Sequence, residues 1–375
     1  MRVFAFALVA AVLIVPSATA TPHGLKLLVR DGNRLALVYL DRITPFRQPL
    51  HPEPYRNLAF SGDGRLVSIG GTILGRAKLP TQTLAWAPTG ERAAYTTTEG
   101  AVVLWTPAGT RQIEPKGWGA GRFLPALAWS RSGALAITRG NSIWVWRDGV
   151  SQQMIGPVPN SGIPVPVAWH GTHLLWWVWP DSGSIAADGV TLYEDSRVLG
   201  TTLTYHDYST VCGEHVAFVQ GGNRYSTSGK ALTFDGRIVA RDSAHSWVSP
   251  SCTPDGHLVA AASRNIVPPL TTETHRAIWQ LLPTRKQVTR PPWGWSDEDP
   301  HLFQNGDLLF VRSRITSKRD GNTWRDTAKG HVMVLSHGRL QEVAKIGYMQ
   351  DESKGVYLGP YYGHYDWSYF VAVHE

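Results

Sequence analysis

One phrase recurs along the chain: apolar, small, aromatic, small polar, two turn residues, glycine, then an apolar run. It reads LAFSGDGRLVSI at 58–69, LAWAPTGERAAY at 84–95 and LAWSRSGALAIT at 127–138. Looser copies are VAWHGTHLLWWV, STVCGEHVAFV, SPSCTPDGHLVAA and PHLFQNGDLLFV. The aromatic slot falls at Phe60, Trp86, Trp129, Trp169, Cys212, Cys252 and Phe303, so the four middle intervals are 43, 40, 43 and 40 residues. A second phrase follows most anchors, a strand, a tight polar turn and another strand, as in SIWVWRDGVSQQM at 142–154 and ALTFDGRIVA at 231–240. Each period therefore holds two hairpins and four short strands. Four strands in roughly 40–45 residues is the blade of a β-propeller, and the chain is read as all-β.

The ends of the chain fit a ring. Residues 25–40 match the second phrase with no first phrase ahead of them, and 364–375 match a first phrase with nothing behind. A closing blade built from the N-terminal hairpin and the C-terminal strand would leave no open sheet edge. Only 26 residues separate Phe60 from Trp86, which is little for four strands. Six, seven or eight blades fit, and seven is the preferred count.

The first twenty residues give an address. Arg2 precedes an apolar stretch over residues 3–15, Pro16 breaks it, and Ala18-Thr19-Ala20 forms a cleavage signal. Residues 1–20 are read as a signal peptide cut after Ala20, and residues 21–375 as a single propeller domain that is secreted or periplasmic. The stretch is shorter than the ~20 apolar residues of a membrane span, and no later segment is long enough, so the mature chain has no span. Aromatic residues make up 10% of the sequence and charged ones 17%, which excludes a disordered chain. The formal charge is +7. Arg312, Arg314, Lys318, Arg319 and Arg325 cluster in one segment and the other cations scatter, which is not the concentrated footprint of a nucleic-acid module. Anionic wall polymers or lipid head groups suit these cations better outside the cell.

The turn phrase W-[SA]-x-x-G, with SGDG at 61–64 and TPDG at 253–256, resembles the repeat of the TolB-like and WD40-like bacterial β-propellers. The resemblance spans most of the mature chain and implies an extracytoplasmic binding propeller. TolB-like proteins carry a small N-terminal domain, whereas blade-like strands begin here by Leu25. Propeller-bearing peptidases carry a G-x-S-x-G motif, and none is present; Gly294-Trp295-Ser296-Asp297-Glu298 ends in glutamate.

Aromatics at the anchor slot are read as packing between blades, each burying about 150–250 Å². Cys212 and Cys252 are the only cysteines. An even count in an exported chain favours a disulfide, but equivalent slots in adjacent blades point the same way around the ring, so two buried thiols stay open as the alternative. The long connections fall between second and third strands and between blades, which places them on one face, and function concentrates on such loops. Three segments display aromatic and charged groups there: Trp293, Trp295, Asp297, Glu298, Asp299 and His301; Tyr205, His206 and Asp207; and Tyr361, Tyr362 and His364. Aromatics beside carboxylates suit stacking on sugars or gripping a peptide.

No catalytic set, cofactor loop or metal motif is read from the sequence. The preferred function is a non-catalytic monomer that binds an unknown protein or an envelope polymer or glycan through its long-loop face. A propeller enzyme, a lyase or glycan hydrolase working at the channel mouth, is the first alternative. A scaffold subunit of an envelope complex is the second.

Overall fold

The structure, a computed structural model, describes residues 26–31, 34–39, 42–44, 57–81, 84–118, 124–158, 162–179, 189–202, 208–221, 230–242, 245–264, 275–320, 323–349, 367 and 370–375. Residues 1–20, read from the sequence as a signal peptide, lie outside them. The described residues form eight four-stranded antiparallel sheets and no α-helix, an eight-bladed β-propeller. In chain order, blade 1 spans 58–78, blade 2 85–114, blade 3 127–155, blade 4 163–202, blade 5 209–240, blade 6 245–287 and blade 7 296–349. Blade 8 joins Val371–His374 to Lys26–Asp31, Arg34–Tyr39 and Arg42–Thr44.

Eight blades correct the preferred seven. The 26 residues between Phe60 and Trp86 do hold a whole blade, because its strands are only two or three residues long: Leu58–Phe60, Val67–Ile69, Thr72–Ile73 and Ala77–Lys78. Seven anchor phrases thus make seven blades, and the sheet made from both ends is the eighth. The N-terminal hairpin also sits differently from the expectation. Its strands are the second and third of blade 8, and Arg42–Thr44, beyond the hairpin phrase, supplies the outer strand. The C-terminal strand pairs antiparallel with Lys26–Asp31, Lys26 opposite His374 and Val29 opposite Val371.

Inner strands read as continuous apolar runs because both of their faces are covered. Ala93 and Tyr95 pack toward blade 1, and Ala94 between them packs toward blade 3. Leu27 and Val29 meet blade 7, and Leu28 meets blade 1. Among the described residues, every pair of neighbouring sheets shares one such apolar cluster.

The anchor slot ties blades 2, 3 and 4 each to the one before it. The Trp86 indole donates to Ser68 Oγ at 2.9 Å, Trp129 to the carbonyl of Ala85 at 2.9 Å, and Trp169 to that of Ala128 at 3.0 Å. At blades 5 and 6 the same slot is covalent: Cys212 and Cys252 form a disulfide with Cα atoms 5.7 Å apart. Adjacent slots therefore come close enough to bridge. The small polar residue after the anchor holds the turn. Ser61 Oγ accepts the Leu66 N–H and Ser130 Oγ the Ala134 N–H, each at 2.9 Å. Gly64 in that turn has φ 66° and lies against the His374 ring, so a side chain there meets both backbone strain and a clash.

Candidate functional site

In a four-stranded meander the first-to-second and third-to-fourth connections share one face. These connections are two to six residues long throughout. Asp148-Gly149, Asp235-Gly236 and His337-Gly338 each place two consecutive residues at positive φ, the requirement of a tight type I′ hairpin turn. Every connection longer than six residues, including 45–57, 115–126, 180–189, 221–230, 265–275 and 350–370, joins strand ends at the opposite edge of the sheets. In blade 7 the elaboration is strand itself. Leu308–Asp320 and Thr323–Ser336 are paired antiparallel strands of 13 and 14 residues, so the basic segment from Arg312 to Arg325 lies on strands.

Beside this hairpin, the connection from blade 6 to blade 7 makes a β-turn. The Trp295 N–H donates to the Pro292 carbonyl at 3.0 Å, and Gly294 at the third position has φ 77°, as a type II turn requires. Pro291 and Pro292 restrict the approach to it. Trp293 therefore sits at the apex, 89% exposed, with its ring centroid 6.3 Å from that of His275. Trp295 turns the other way and lies against His331, centroids 5.2 Å apart.

The sequence groups Trp293, Trp295, Asp297, Glu298, Asp299 and His301 in one loop, but strand begins at Ser296 and separates them. Asp297 is fully buried and accepts hydrogen bonds from two of the three guanidinium nitrogens of Arg312, Nε at 2.6 Å and Nη2 at 2.8 Å. Glu298, also buried, accepts the Trp367 indole N–H at 2.9 Å and lies 3.8 Å from Arg276. Asp299 adopts φ 49° within a bulge between Glu298 and His301. His301 lies at the far end of the strand, near the short-turn face, and meets Glu375 at 2.7 Å. Tyr205, His206, Asp207, Tyr361, Tyr362 and His364 lie outside the described residues.

What the sequence grouping does not contain is the cationic flank. Arg314 passes within 3.8 Å of the position a Cβ on Gly294 would occupy, and the strand register sets it opposite Lys329. Both are exposed, as is Arg290 three residues before Trp293. Period-two spacing of Arg312 and Arg314 on an extended strand is the signal that finds this row.

Groups with shifted proton affinity lie chiefly toward the short-turn face, and structural partners explain them. Burial alone would push the His170 imidazole down, but the Glu194 carboxylate bound to it at 2.6 Å and Glu214 beyond hold it above its ordinary range. Burial would raise Glu194, and His170 and Arg197 outweigh it, so that carboxyl falls below its usual range. The hydrogen bond from His301 lowers Glu375 against the opposing effect of burial. No group of three His, Cys, Asp or Glu suited to a metal ion occurs among the described residues. Among the described residues no helix is long and apolar enough to cross a membrane. Among the described residues, a groove of about 650 Å³ lies between blades 3 and 4, floored by the stacked Trp176 and Tyr193, and another of about 510 Å³ lies between blades 6 and 7 at the short-turn face.

No protein-family model matches the chain, and no curated protein sequence matches it. Among solved structures it is similar to the computationally designed Ika8 protein, at 9% identity over 85% of each chain with a TM-score of 0.44. It is also similar to virginiamycin B lyase from Staphylococcus aureus, at 18% identity over 61% of this chain and 84% of that one, TM-score 0.36. Neither likeness assigns a ligand or a reaction to this chain.

Proposed function

We propose that this chain is an exported, non-catalytic β-propeller of the TolB-like and WD40-like kind, which binds an envelope polymer or protein as a monomer through its long-loop face. The observation that carries this reading is the asymmetry of the two faces. One edge of the sheets carries turns of two to six residues, and at the other lie the strand ends joined by every longer connection, the long hairpin strands of blade 7 and the exposed Trp293. Variation of loops on a rigid scaffold is how propellers and other repeat folds acquire binding surfaces. Export is supported by the leader pattern of residues 1–20 and by the Cys212–Cys252 disulfide, which suits an oxidising compartment. In this reading blade 8 closes the ring, so that the loop face is held in one frame.

Co-sedimentation with envelope fragments of the source cell tests it. Mature protein is expected to pellet with the fragments, and Trp293→Ala combined with Trp295→Ala to remain in the supernatant. Leu340→Glu, at an exposed site near the short-turn face, is expected to pellet like the parent. Equal sedimentation of the double variant and the parent would overturn the reading. Melting curves separate a lost contact from a lost fold, because Trp295 is half-buried and Trp293 is not.

A further inference from the structure

We infer that the strip formed by Trp293, Arg290, Arg314 and Lys329 binds an acidic polysaccharide, stacking a sugar ring on the indole and pairing its carboxylates with the cationic groups. The inference rests on the loop-face reading above and adds to it the class of ligand.

The first observation is how Trp293 is held. Its backbone is fixed by the hydrogen bond across the turn, by the left-handed Gly294 and by two preceding prolines. A side chain displayed by so constrained a turn loses little freedom on meeting a ligand. Single exposed apolar residues are ordinary on protein surfaces, but a tryptophan 89% exposed on a rigid apex has given up its own packing while keeping its position. Its flat face is open to a flat, apolar ring surface.

The second observation is uncompensated charge. Arg314 and Lys329 stand directly opposite one another on paired strands. Like charges in that relation repel. No described carboxylate lies between them to relieve it. Asp297 is committed to Arg312, and Glu342 on the fourth strand is engaged by His331 at 2.8 Å. The register repeats the arrangement farther out, where Lys318 lies opposite Arg325. Arg314 and Lys329, which make no ion pair with another described residue, fit a ligand that carries repeated negative charge.

The third observation separates a polysaccharide from a membrane. Interfacial anchoring needs apolar area to sink below the head groups. Among the described residues, the exposed Val150, Val198, Ile238 and Leu340 lie at the short-turn ends of outer strands, Val167 lies within the first strand of blade 4, and Leu124 lies between blades 2 and 3, four blades around from Trp293. One indole with a cationic rim matches one stacked sugar and its acidic neighbours.

Calorimetry of the mature protein with polygalacturonate, with neutral dextran of similar length and with phosphatidylglycerol vesicles tests the inference. Polygalacturonate is expected to bind and dextran not. Trp293→Ala is expected to weaken binding at least tenfold with an unchanged melting temperature. Arg314→Ala and Lys329→Ala should each weaken it and flatten its dependence on salt, since fewer counterions are displaced. Parental affinity in Arg314→Ala and Lys329→Ala would overturn the inference, as would preference for the vesicles. Failure to bind polygalacturonate, in a protein that still pellets with envelope fragments through Trp293, would remove the inference and leave the loop-face reading standing. Failure in both assays would remove both.

Discussion

A chain ending at Asp366 is expected not to fold cooperatively. The nine residues removed include the whole inner strand of blade 8, Val371–His374, whose four paired positions face Lys26–Asp31. They also include Trp367 and Phe370, both nearly inaccessible to solvent, in the cluster shared with Leu309, Val311 and Ile346 of blade 7. Truncating one buried aromatic typically costs about 3–5 kcal/mol, and total stabilities run to only about 5–15 kcal/mol. Two lost together consume most of that range before the missing strand is considered. Blade 8 would then present unpaired edges, so aggregation is expected with unfolding. Circular dichroism and thermal melting of the truncated chain check this. A cooperative transition at the parental temperature would show that the ends of the chain do not hold the ring together.

Arg312→Ala is expected to destabilise the protein by about 3–5 kcal/mol, the usual cost of leaving one partner of a buried pair alone. Asp297 has no exposed surface and receives two hydrogen bonds from Arg312, whose own side chain is 15% exposed and lies over the Phe310 ring. Replacing both members with apolar residues of similar size, Asp297→Leu with Arg312→Met, is expected to cost less than the single change, because no charge is then stranded. Urea unfolding of the single and double variants measures the difference. A loss below about 1 kcal/mol for Arg312→Ala, the range of a solvent-exposed pair, would mean that the pair is open to water.

The propeller was legible because its repeat is written twice per blade, once in the anchor phrase and once in the hairpin phrase. The blade count was less so, since the strands of blade 1 are so short that Thr72–Ile73 and Ala77–Lys78 carry no alternation to read. The candidate site divided along one physical line. Trp293 and Trp295 were recognisable from their glycine and prolines, which are local signals. Asp297 and Glu298 looked like loop acids because a buried strand is expected to be apolar. Their partners Arg312, Arg276 and Trp367 lie 15 or more residues away, and only the strand register and the return of the C-terminus bring them together. The same register that buried the acids set Arg314 against Lys329. Beside Trp293 the fold therefore buries and pairs the acids Asp297 and Glu298 and leaves Arg290, Arg314 and Lys329 exposed.

Hydrogen exchange across the mature protein, with and without bound envelope polymer, reports directly on which face binds. The account predicts slowed exchange at 288–295 and along 312–331, with no change at the short turns 61–66, 130–134, 253–257 and 303–307. Slowing confined to those short turns, with the Trp293 turn exchanging as in the free protein, would contradict it.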